Sequence, residues 1–194
     1  MTQLERDIFI IGGPNGAGKT TAARVLLPEF LHERNFLNAD DIAREISPAN
    51  PEAAALAAGR EFLVRMHRLI REQGSFALET TCAGRSYLRI FEQCRNEGWR
   101  IVLLYFWLPS AELSARRVAC RVAEGGHGIP LEVIHRRYRT GIWNMCNLYL
   151  PLADEAEIYD NSLSPRVLIA QKRKGRGLQV CDAARWGRIE EVSR

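Results

Sequence analysis

The sequence lacks the features that would place the chain in a membrane or outside the cell. No apolar run among its 194 residues approaches the roughly 20 residues that a membrane-spanning helix needs. Met1–Arg6 is polar and leads directly into a predicted strand, so we expect no secretory signal. The chain has five cysteines, an odd number, and none forms a C-x-x-C pair. We therefore expect reduced thiols in a cytoplasmic protein, with no zinc site.

The chain also lacks a large excess of charge of one sign. The formal net charge is +4, an excess that suits a protein that handles phosphates but does not favour nucleic acid as the main partner. The sequence has no internal repeat and no low-complexity tract. Its length favours a single domain over residues 1–194, in which we expect a lid region at about 110–140 and a C-terminal extension at about 171–194.

A glycine-rich segment lies between a predicted strand and a predicted helix. The apolar run Ile8–Ile11 precedes it, and the helix-forming run Thr21–Leu27 follows it. This order is the one that a phosphate-binding P-loop requires. We expect Lys19 to bind the β- and γ-phosphates of ATP and the Thr20 hydroxyl to bind Mg²⁺. The expected nucleotide-binding residues are Gly13, Pro14, Asn15, Gly16, Ala17, Gly18, Lys19, Thr20 and Thr21.

Strands and helices alternate along the chain, which predicts an α/β fold with a mostly parallel sheet and helices on both faces. We expect a P-loop kinase fold with about five strands and an arginine-bearing lid. The predicted strands are Ile8–Gly12, Phe36–Asn38, Ser75–Glu79, Arg100–Leu108 and Glu157–Asn161, with Arg166–Ala170 as an additional edge strand. Pro28 should end the first helix. Ligands bind at the carboxyl ends of such strands, so Gly13–Thr20, Asp40, Glu79 and the loop after Tyr159 should meet in one crevice.

Two acidic residues follow predicted strands. Asp40 follows the second strand, where a carboxylate can accept the proton of an attacking hydroxyl as a catalytic base. The alternative is that Asp40 is simply a helix N-cap. Glu79 ends the third strand and could hold Mg²⁺, its water or the acceptor substrate, or could be a salt-bridged strand end. The hydroxyls of Thr80 and Thr81 could also bind the substrate.

Arginines and glycines near residue 120 predict a lid. Arg117 and Arg121 lie four apart on one predicted helix and share a face. They could straddle a transferring phosphoryl group, or they could form a solvated face paired with neighbouring glutamates. The loop Gly125–Gly128 provides a flexible hinge. His127 within it could bind a phosphate or substrate oxygen, although a lone loop histidine is more often solvated.

Other basic residues are interpreted as surface. Arg136, Arg137 and Arg139 mostly form a solvated helix face, from which one could join the lid. The run Lys172–Arg176 is most simply an exposed basic turn, because no aromatic residues are interleaved with it as a nucleic-acid site would need.

An ordered set of motifs resembles the zeta toxin family of P-loop kinases in a compact, single-domain form. The resemblance covers about residues 7–170. The P-loop alone is not specific to this family, but the ordered set is. The matching pieces are Gly12–Thr20, Asn38–Asp40, Phe76–Thr81, Arg117–Val122, Gly125–His127 and Tyr159–Ser162.

This resemblance implies an ATP- and Mg²⁺-dependent kinase that acts on a small molecule. In characterised members the acceptor is a UDP-amino sugar, UDP-N-acetylglucosamine, and its phosphorylation starves cell-wall synthesis and makes the protein toxic. A small antitoxin protein could cover the ATP crevice. By motif match, Asp40 falls on the family's catalytic aspartate, Lys19 on its P-loop lysine and Glu79 on its substrate-contacting glutamate. Arg117 or Arg121 would be a phosphate-neutralising arginine.

The sequence thus predicts a cytoplasmic kinase that transfers the γ-phosphate of ATP to a hydroxyl. Two alternatives remain open at this stage. One is a kinase that acts on the 5′-hydroxyl of a nucleic acid, which would need a basic channel and salt-dependent binding. The other is a nucleotide-dependent switch that binds ATP without transferring phosphate to a small molecule.

Overall fold

The computed structural model describes residues 6–27, 35–126 and 128–194. Within them a seven-stranded sheet has the strand order β2-β3-β1-β4-β5-β6-β7. Strands β1 to β5 are parallel, and β6 and β7 are antiparallel additions at one edge. The strands are β1 (Asp7–Gly12), β2 (Phe36–Leu37), β3 (Phe76–Thr80), β4 (Arg100–Trp107), β5 (Glu155–Asp160), β6 (Val167–Lys172) and β7 (Leu178–Val180).

Helices cover both faces of the sheet, as expected for strands that alternate with helices. The helix α6 (Leu131–Asn144) continues through a π-helical turn, Met145–Tyr149, into the short helix α7 (Leu150–Leu152). The helices are α1 (Lys19–Leu26), α2 (Ala39–Ile46), α3 (Ala55–Arg71), α4 (Leu88–Asn96), α5 (Ala111–Ala123), α6 (Leu131–Asn144), α7 (Leu150–Leu152) and α8 (Ala183–Ser193).

The central strand β4 shows why the sheet is buried on both sides. Its residues alternate between two hydrophobic cores, with Leu103 and Tyr105 in the larger core and Leu104 and Phe106 in the smaller one. Helices α3, α4, α6 and α8 cover the larger core, and α1 covers the smaller one. Each large apolar side chain that is fully buried, such as Phe62 on α3, contributes about 1.5–3 kcal/mol.

The predicted α/β fold is confirmed, but the number of strands is larger than the five expected. Strand β6, which was predicted as the edge strand Arg166–Ala170, is not at the edge, because β7 pairs with it. Strand β7 has only three residues, two of them exposed, and is too short for its hydrophobic pattern to identify it. The basic run 172–176 leads from β6 into the turn before β7.

Residues 183–193 form a helix that packs on the sheet, where Ile189 is fully buried in the larger core. Pro28, which was predicted to end the first helix, lies outside the described residues; α1 ends at Leu26. No helix in the described part of the chain combines the length and apolar character needed to cross a membrane. Strand β1 lies between β3 and β4, so the loop that follows β1 is at the centre of the sheet's carboxyl edge.

Candidate functional site

The glycine-rich loop after β1 curves closely around the carboxyl end of β4. Gly13 has a φ angle of +146°, and a Cβ atom there would lie 2.3 Å from the main-chain oxygen of Phe106. Only glycine fits so close to a carbonyl group in this conformation. Gly18 then takes a left-handed conformation and caps α1, so that Lys19 is the first helical residue. The loop and the helix N-terminus together form the anion-binding arrangement of a P-loop.

Two side chains hold this loop from its outer side. Ser114 on α5 is fully buried, and its Oγ donates a hydrogen bond of 2.5 Å to the main-chain oxygen of Asn15. Asn161, which follows β5, donates through Nδ2 to the main-chain oxygen of Ala17 at 2.7 Å. The loop is therefore fixed by side chains on two separate elements, which limits its reorganisation when an anion binds.

Glu79 connects β3 to the start of α1. Its Oε2 accepts hydrogen bonds from Thr20 Oγ1 at 2.7 Å and from Asn38 Nδ2 at 3.0 Å. Lys19 Nζ lies 3.6 Å from Glu79 Oε1 and donates to the main-chain oxygen of Pro14 at 3.0 Å. Both charged side chains are largely buried, with exposed fractions of 7% and 14%. The pair is thus poorly screened by solvent.

Asn38 links this network to helix α2. Its Oδ1 accepts hydrogen bonds from the main-chain N–H groups of Asp40 at 2.8 Å and Asp41 at 3.4 Å, so Asn38 is the N-cap. The alternative interpretation of Asp40 as the N-cap is therefore wrong. Asp40 lies in the first turn of α2 with an exposed side chain, where the helix dipole favours a carboxylate.

Lys19 and Asp40 line the same cleft, which has a volume of about 580 Å³. The cleft lies at the carboxyl edge of the sheet, between α2, the segment after β3 and helix α6. Glu79, Thr80 and Thr81 also line it, so the predicted substrate residues of β3 and the predicted base are brought together. The other lining residues are Asn15, Asn38, Ala39, Ala83, Gly84, Ser86, Tyr87, Arg136, Arg137 and Thr140.

A second cavity, of about 460 Å³, is also lined by Asp40. Gly125 and Gly126 of the predicted lid loop line it together with Arg137. Arg137 thus lines both cavities next to Asp40. The predicted substrate residue His127 lies outside the described residues. The preceding residues, Gly125 and Gly126, nevertheless place the start of the predicted lid loop beside the candidate base Asp40.

Arg117 does not line the cleft of Asp40. Its guanidinium donates to the main-chain oxygens of Asn161 and Ser162, each at 2.9 Å, and reaches that of Gly16 at 3.5 Å. These contacts lie at a third cavity, of about 570 Å³, beside the loop after β5. The loop after β5 thus meets the P-loop, as expected, but it lines this cavity and not the cleft that Asp40 lines. Arg121 is exposed, and its stem lies against Gly126 of the predicted lid loop.

Several residues of the site were missed by sequence reasoning. Arg136 and Arg137 were interpreted as mainly a solvated face, yet both line the cleft. Their orientation depends on how α6 packs against the segment after β3, which no local pattern reveals. Asn38 could have been found, because asparagine directly before a helix is a common N-cap. Ser114 carries no signal, since a serine within a helix is usually unremarkable.

Cys82 is buried next to the P-loop lysine, but it is not a nucleophile. Burial raises the pKa of its thiol to about 12, although the positive charge of Lys19 acts in the opposite direction. At neutral pH the group is therefore an uncharged thiol, and a thiol reacts far more slowly than a thiolate.

The residues present fit a nucleoside triphosphate and a magnesium ion. The side-chain oxygen of Asn15 is buried at the cleft and has no hydrogen-bond donor among the described residues, so a hydroxyl group of a bound molecule or a bound water could donate to it. Thr20 and Glu79 place a hydroxyl and a carboxylate side by side, and these are the oxygen ligands that Mg²⁺ prefers. The described residues contain no group of three or more acidic, histidine or cysteine side chains that could hold a metal ion by themselves. Such a cluster is not needed where phosphate and water complete the coordination.

Comparison with known proteins agrees with this geometry. The sequence model of the AAA_33 family, described as an AAA domain, matches residues 8–139. An uncharacterized protein of Haemophilus influenzae is 30% identical over 128 residues, which are 65% of this chain and 88% of that protein.

Two solved structures share the fold at low sequence identity. A chain of the AvrRxo1-ORF1–ORF2 complex crystallised with ATP superposes with a TM-score of 0.73 at 17% identity over 97% of this chain. This chain spans 64% of the length of that one. A chain from the PezAT chromosomal toxin–antitoxin system of Streptococcus pneumoniae gives a TM-score of 0.62 at 16% identity, over 99% of this chain and 80% of its own length. The P-loop kinase fold that the resemblance to zeta toxins implied is thereby confirmed.

Proposed function

The chain belongs to the AAA_33 family of AAA domains, and from that premise we propose that it is an ATP- and Mg²⁺-dependent kinase that transfers the γ-phosphate of ATP to a hydroxyl of a small molecule. The observation that carries this proposal is that Lys19 and Asp40 line one cleft. A phosphate-binding lysine and an exposed carboxylate in one cleft are what transfer between a triphosphate and an alcohol requires.

ATP occupies the P-loop in this proposal. The residues Gly13–Thr21 bind its phosphates through main-chain N–H groups and the Lys19 ammonium. The base then lies toward the cavity that Arg117, Asn161 and Ser162 line, because that cavity adjoins the outer side of the same loop. Arg117 therefore shapes the nucleotide site rather than contacting the transferred group.

Thr20 and Glu79 hold the magnesium ion in this proposal. When bound, Mg²⁺ supplies positive charge to the β- and γ-phosphates. The hydrogen bond from Asn38 orients the Glu79 carboxylate, and the Thr20 hydroxyl is kept beside it by the first turn of α1. Lys19, next to both, compensates the carboxylate charge.

Asp40 is the general base. Its carboxylate accepts the proton of the acceptor hydroxyl as that oxygen attacks the γ-phosphorus, and the bond from phosphorus to the β–γ bridging oxygen breaks to release ADP. Arg137, which lines both cavities that Asp40 lines, neutralises the charge on the transferred group, with Arg121 on the lid as a second candidate. The proposed transfer needs no covalent intermediate, because positioning of the reactants and neutralisation of charge account for the rate acceleration.

The acceptor that the site supports best is a UDP-amino sugar. Arg136 and Arg137 provide positive charge on the acceptor wall, as a molecule with its own phosphates would need. Thr81, Ser86 and Tyr87 add hydroxyl groups that can bind sugar oxygens. The reaction is placed in the cytoplasm, where ATP is available and where the five free cysteines remain reduced.

An antitoxin protein is a further proposed partner. The two solved structures of the same fold come from complexes or systems of two proteins, and one of these is a toxin–antitoxin system. A protein that covers the nucleotide crevice would block the reaction. Co-expression with the product of a neighbouring gene, followed by purification and an ATP-binding assay, tests this partner.

The decisive experiment is a transfer assay with γ-labelled ATP and a panel of nucleotide sugars, antibiotics and oligonucleotides. We expect Mg²⁺-dependent label on a UDP-amino sugar, with loss of ATP binding and transfer in Lys19→Ala. Lys174→Ala, which removes an exposed lysine from the basic turn, is the matched control. Salt-sensitive label on oligonucleotide 5′ ends would show a nucleic-acid kinase instead. Tight ATP binding without label on any compound would show a switch.

A further inference from the structure

The segment after β3, residues 81–85, forms part of the acceptor wall of the cleft. Thr81, Ala83 and Gly84 line the cleft directly. The segment has no regular secondary structure, and Cys82 within it has a φ angle of +58°. A left-handed conformation at a residue other than glycine costs about 1–3 kcal/mol and persists only where the surroundings impose it. Something outside the segment must therefore hold its shape.

Asn144, the last residue of α6, holds this segment through its side chain. The side chain is fully buried, and its Nδ2 donates to the main-chain oxygens of Cys82 at 2.8 Å and Ala83 at 3.1 Å. Its Oδ1 accepts a hydrogen bond from Arg85 Nε at 3.1 Å. One amide thus contacts three residues of the segment and uses both of its donors and its acceptor. Neither aspartate nor leucine can reproduce that set.

Two more residues of the same helical unit contact the segment. At Gly141 a Cβ atom would lie 2.4 Å from the main-chain oxygen of Thr81, so the helix touches the strand end there without a side chain between them. The Tyr149 hydroxyl donates to the main-chain oxygen of Gly84 at 2.8 Å. Each residue from 81 to 85 is therefore contacted by Gly141, Asn144 or Tyr149.

The π-helical turn explains how Asn144 and Tyr149 reach the same segment. In an α-helix, residues five positions apart differ by about 140° around the axis. The hydrogen bonds of a π-turn instead join residues five apart and bring them close to one line along the helix. The π-turn Met145–Tyr149 begins directly after Asn144, so both side chains face the segment after β3. Single π-turns in α-helices are frequent at functional sites.

We propose that Asn144 is a positioning residue that sets the acceptor wall of the cleft and joins it to helix α6. The same helix carries Arg136, Arg137 and Thr140 into the cleft, so the segment after β3 and these side chains form one rigid acceptor site. The Asn144 side chain is fully buried and does not line the cleft. This inference rests on the proposed kinase function and concerns chiefly the acceptor: the P-loop is held by Ser114 and Asn161 on other elements, and the segment after β3 reaches it through Cys82, which packs against Gly12.

The test is a steady-state comparison of wild type and Asn144→Asp with ATP and UDP-N-acetylglucosamine as probes. Aspartate keeps the acceptor for Arg85 but loses the donors to Cys82 and Ala83. We expect the KM for UDP-N-acetylglucosamine to rise about 10- to 100-fold and the KM for ATP to rise far less, because Ser114 and Asn161 still hold the P-loop. Asn147→Asp is the matched control, because Asn147 is exposed on the π-turn and its side chain donates to the main-chain oxygen of Trp143 in the same helical unit.

Tyr149→Phe is a milder second variant for the case that Asn144→Asp does not fold. It removes only the hydrogen bond to Gly84 and should change the same KM in the same direction. Calorimetric binding of UDP-N-acetylglucosamine to wild type and variants provides a readout that needs no transfer.

The outcomes separate this inference from the proposed function. If wild type binds UDP-N-acetylglucosamine and Asn144→Asp binds it more weakly, but no phosphate is transferred to it, the inference is supported and the proposed kinase function toward this acceptor is removed. Transfer with an unchanged acceptor KM in Asn144→Asp, or an equal rise in both KM values, would overturn the inference alone. Neither binding nor transfer of UDP-N-acetylglucosamine by wild type would overturn both the inference as stated for this acceptor and the choice of a UDP-amino sugar; the kinase function itself would fall only if no compound of the panel were labelled.

Discussion

Thr20 and Glu79 share a hydrogen bond of 2.7 Å between hydroxyl and carboxylate, although 59 residues separate them in the chain. The bond joins the first turn of α1 to the end of β3. Asn38 donates to the same carboxylate oxygen, and its own oxygen caps the helix that carries Asp40. A continuous set of hydrogen bonds thus runs from the P-loop helix through Glu79 to the helix of the candidate base. Because Ser114 and Asn161 hold the P-loop separately, changes at Glu79 should affect metal binding without unfolding that loop.

The first prediction concerns Glu79→Gln. The amide oxygen can still accept the Thr20 hydrogen bond, but the negative charge that favours a cation is lost. We expect the Mg²⁺ concentration needed for half-maximal activity to rise, and the rate at fixed Mg²⁺ to fall about 10- to 100-fold. Titration of transfer activity with Mg²⁺ measures both. Thr20→Val should act in the same direction, and an unchanged Mg²⁺ titration in both variants would remove the metal assignment.

The second prediction separates Asp40 from its neighbour. Asp40→Asn should leave ATP affinity unchanged and lower kcat about 10²- to 10⁴-fold, because an amide cannot accept the hydroxyl proton. Asp41→Asn is the matched control: Asp41 is on the same turn but pairs with Arg44, not with the cleft. Fluorescence titration with ATP and single-turnover transfer measure the two steps. Full transfer by Asp40→Asn would exclude Asp40 as the base.

The third prediction concerns the arginines of α6. Arg137 lines both cavities that Asp40 lines, whereas Arg139, two residues further on, is exposed and lines neither. We expect Arg137→Ala to lower kcat about 10²- to 10³-fold, as for the loss of one electrostatic contact to the transferred group. Arg139→Ala should behave as wild type. Equal, small effects of both substitutions would show that α6 contributes only a solvated face.

The sequence alone predicts those parts of the site whose residue types follow a recognisable local order of strand, loop and helix. The strand, glycine-rich loop and helix around Lys19 identify the P-loop, and the positions of Asp40 and Glu79 after parallel strands place them at the same edge. Both inferences depend on short-range patterns and on one topological rule.

The arginines could not be assigned this way. Arg117 and Arg121 share a helical face in the sequence, but the carbonyl groups after β5 bind the Arg117 guanidinium. Arg136 and Arg137 reach the cleft because Gly141 and Asn144 dock α6 onto the segment after β3. Such contacts join residues about 60 positions apart in the sequence, and no periodicity in either segment predicts them.

The fourth prediction concerns acid stability. Asp160, at the end of β5, accepts hydrogen bonds from Ser162 and from Arg185 on α8. Burial raises the pKa of its carboxyl group, but the hydrogen bonds from Ser162 and Arg185 together outweigh burial and lower the pKa below its ordinary value. The unfolded chain therefore takes up this proton first, and stability present above about pH 4 is lost as the pH falls.

Chemical denaturation between about pH 7 and pH 3 measures this effect, since that range spans the ordinary carboxyl pKa. The free energy of unfolding of the wild type should fall more steeply toward low pH than that of Asp160→Asn. Glu92→Gln, at an exposed position on α4, is the control and should keep the wild-type slope. Parallel slopes for wild type and Asp160→Asn would show that the contact of α8 with β5 adds no pH-dependent stability.

The last prediction compares one substitution in two helices. Gly59 lies inside α3, and a Cβ atom there would meet nothing within 4 Å. Gly59→Ala should raise the free energy of unfolding by about 0.5–1 kcal/mol, because alanine loses less backbone entropy on folding. Gly141 lies inside α6, and its Cβ would press on the main-chain oxygen of Thr81. Gly141→Ala should lower the same free energy by about 1–3 kcal/mol, because a backbone contact cannot yield without moving the helix. Thermal and urea unfolding of both variants measure the two signs. A stabilised Gly141→Ala protein would mean that α6 does not dock on the end of β3, and the acceptor wall would then lack its support.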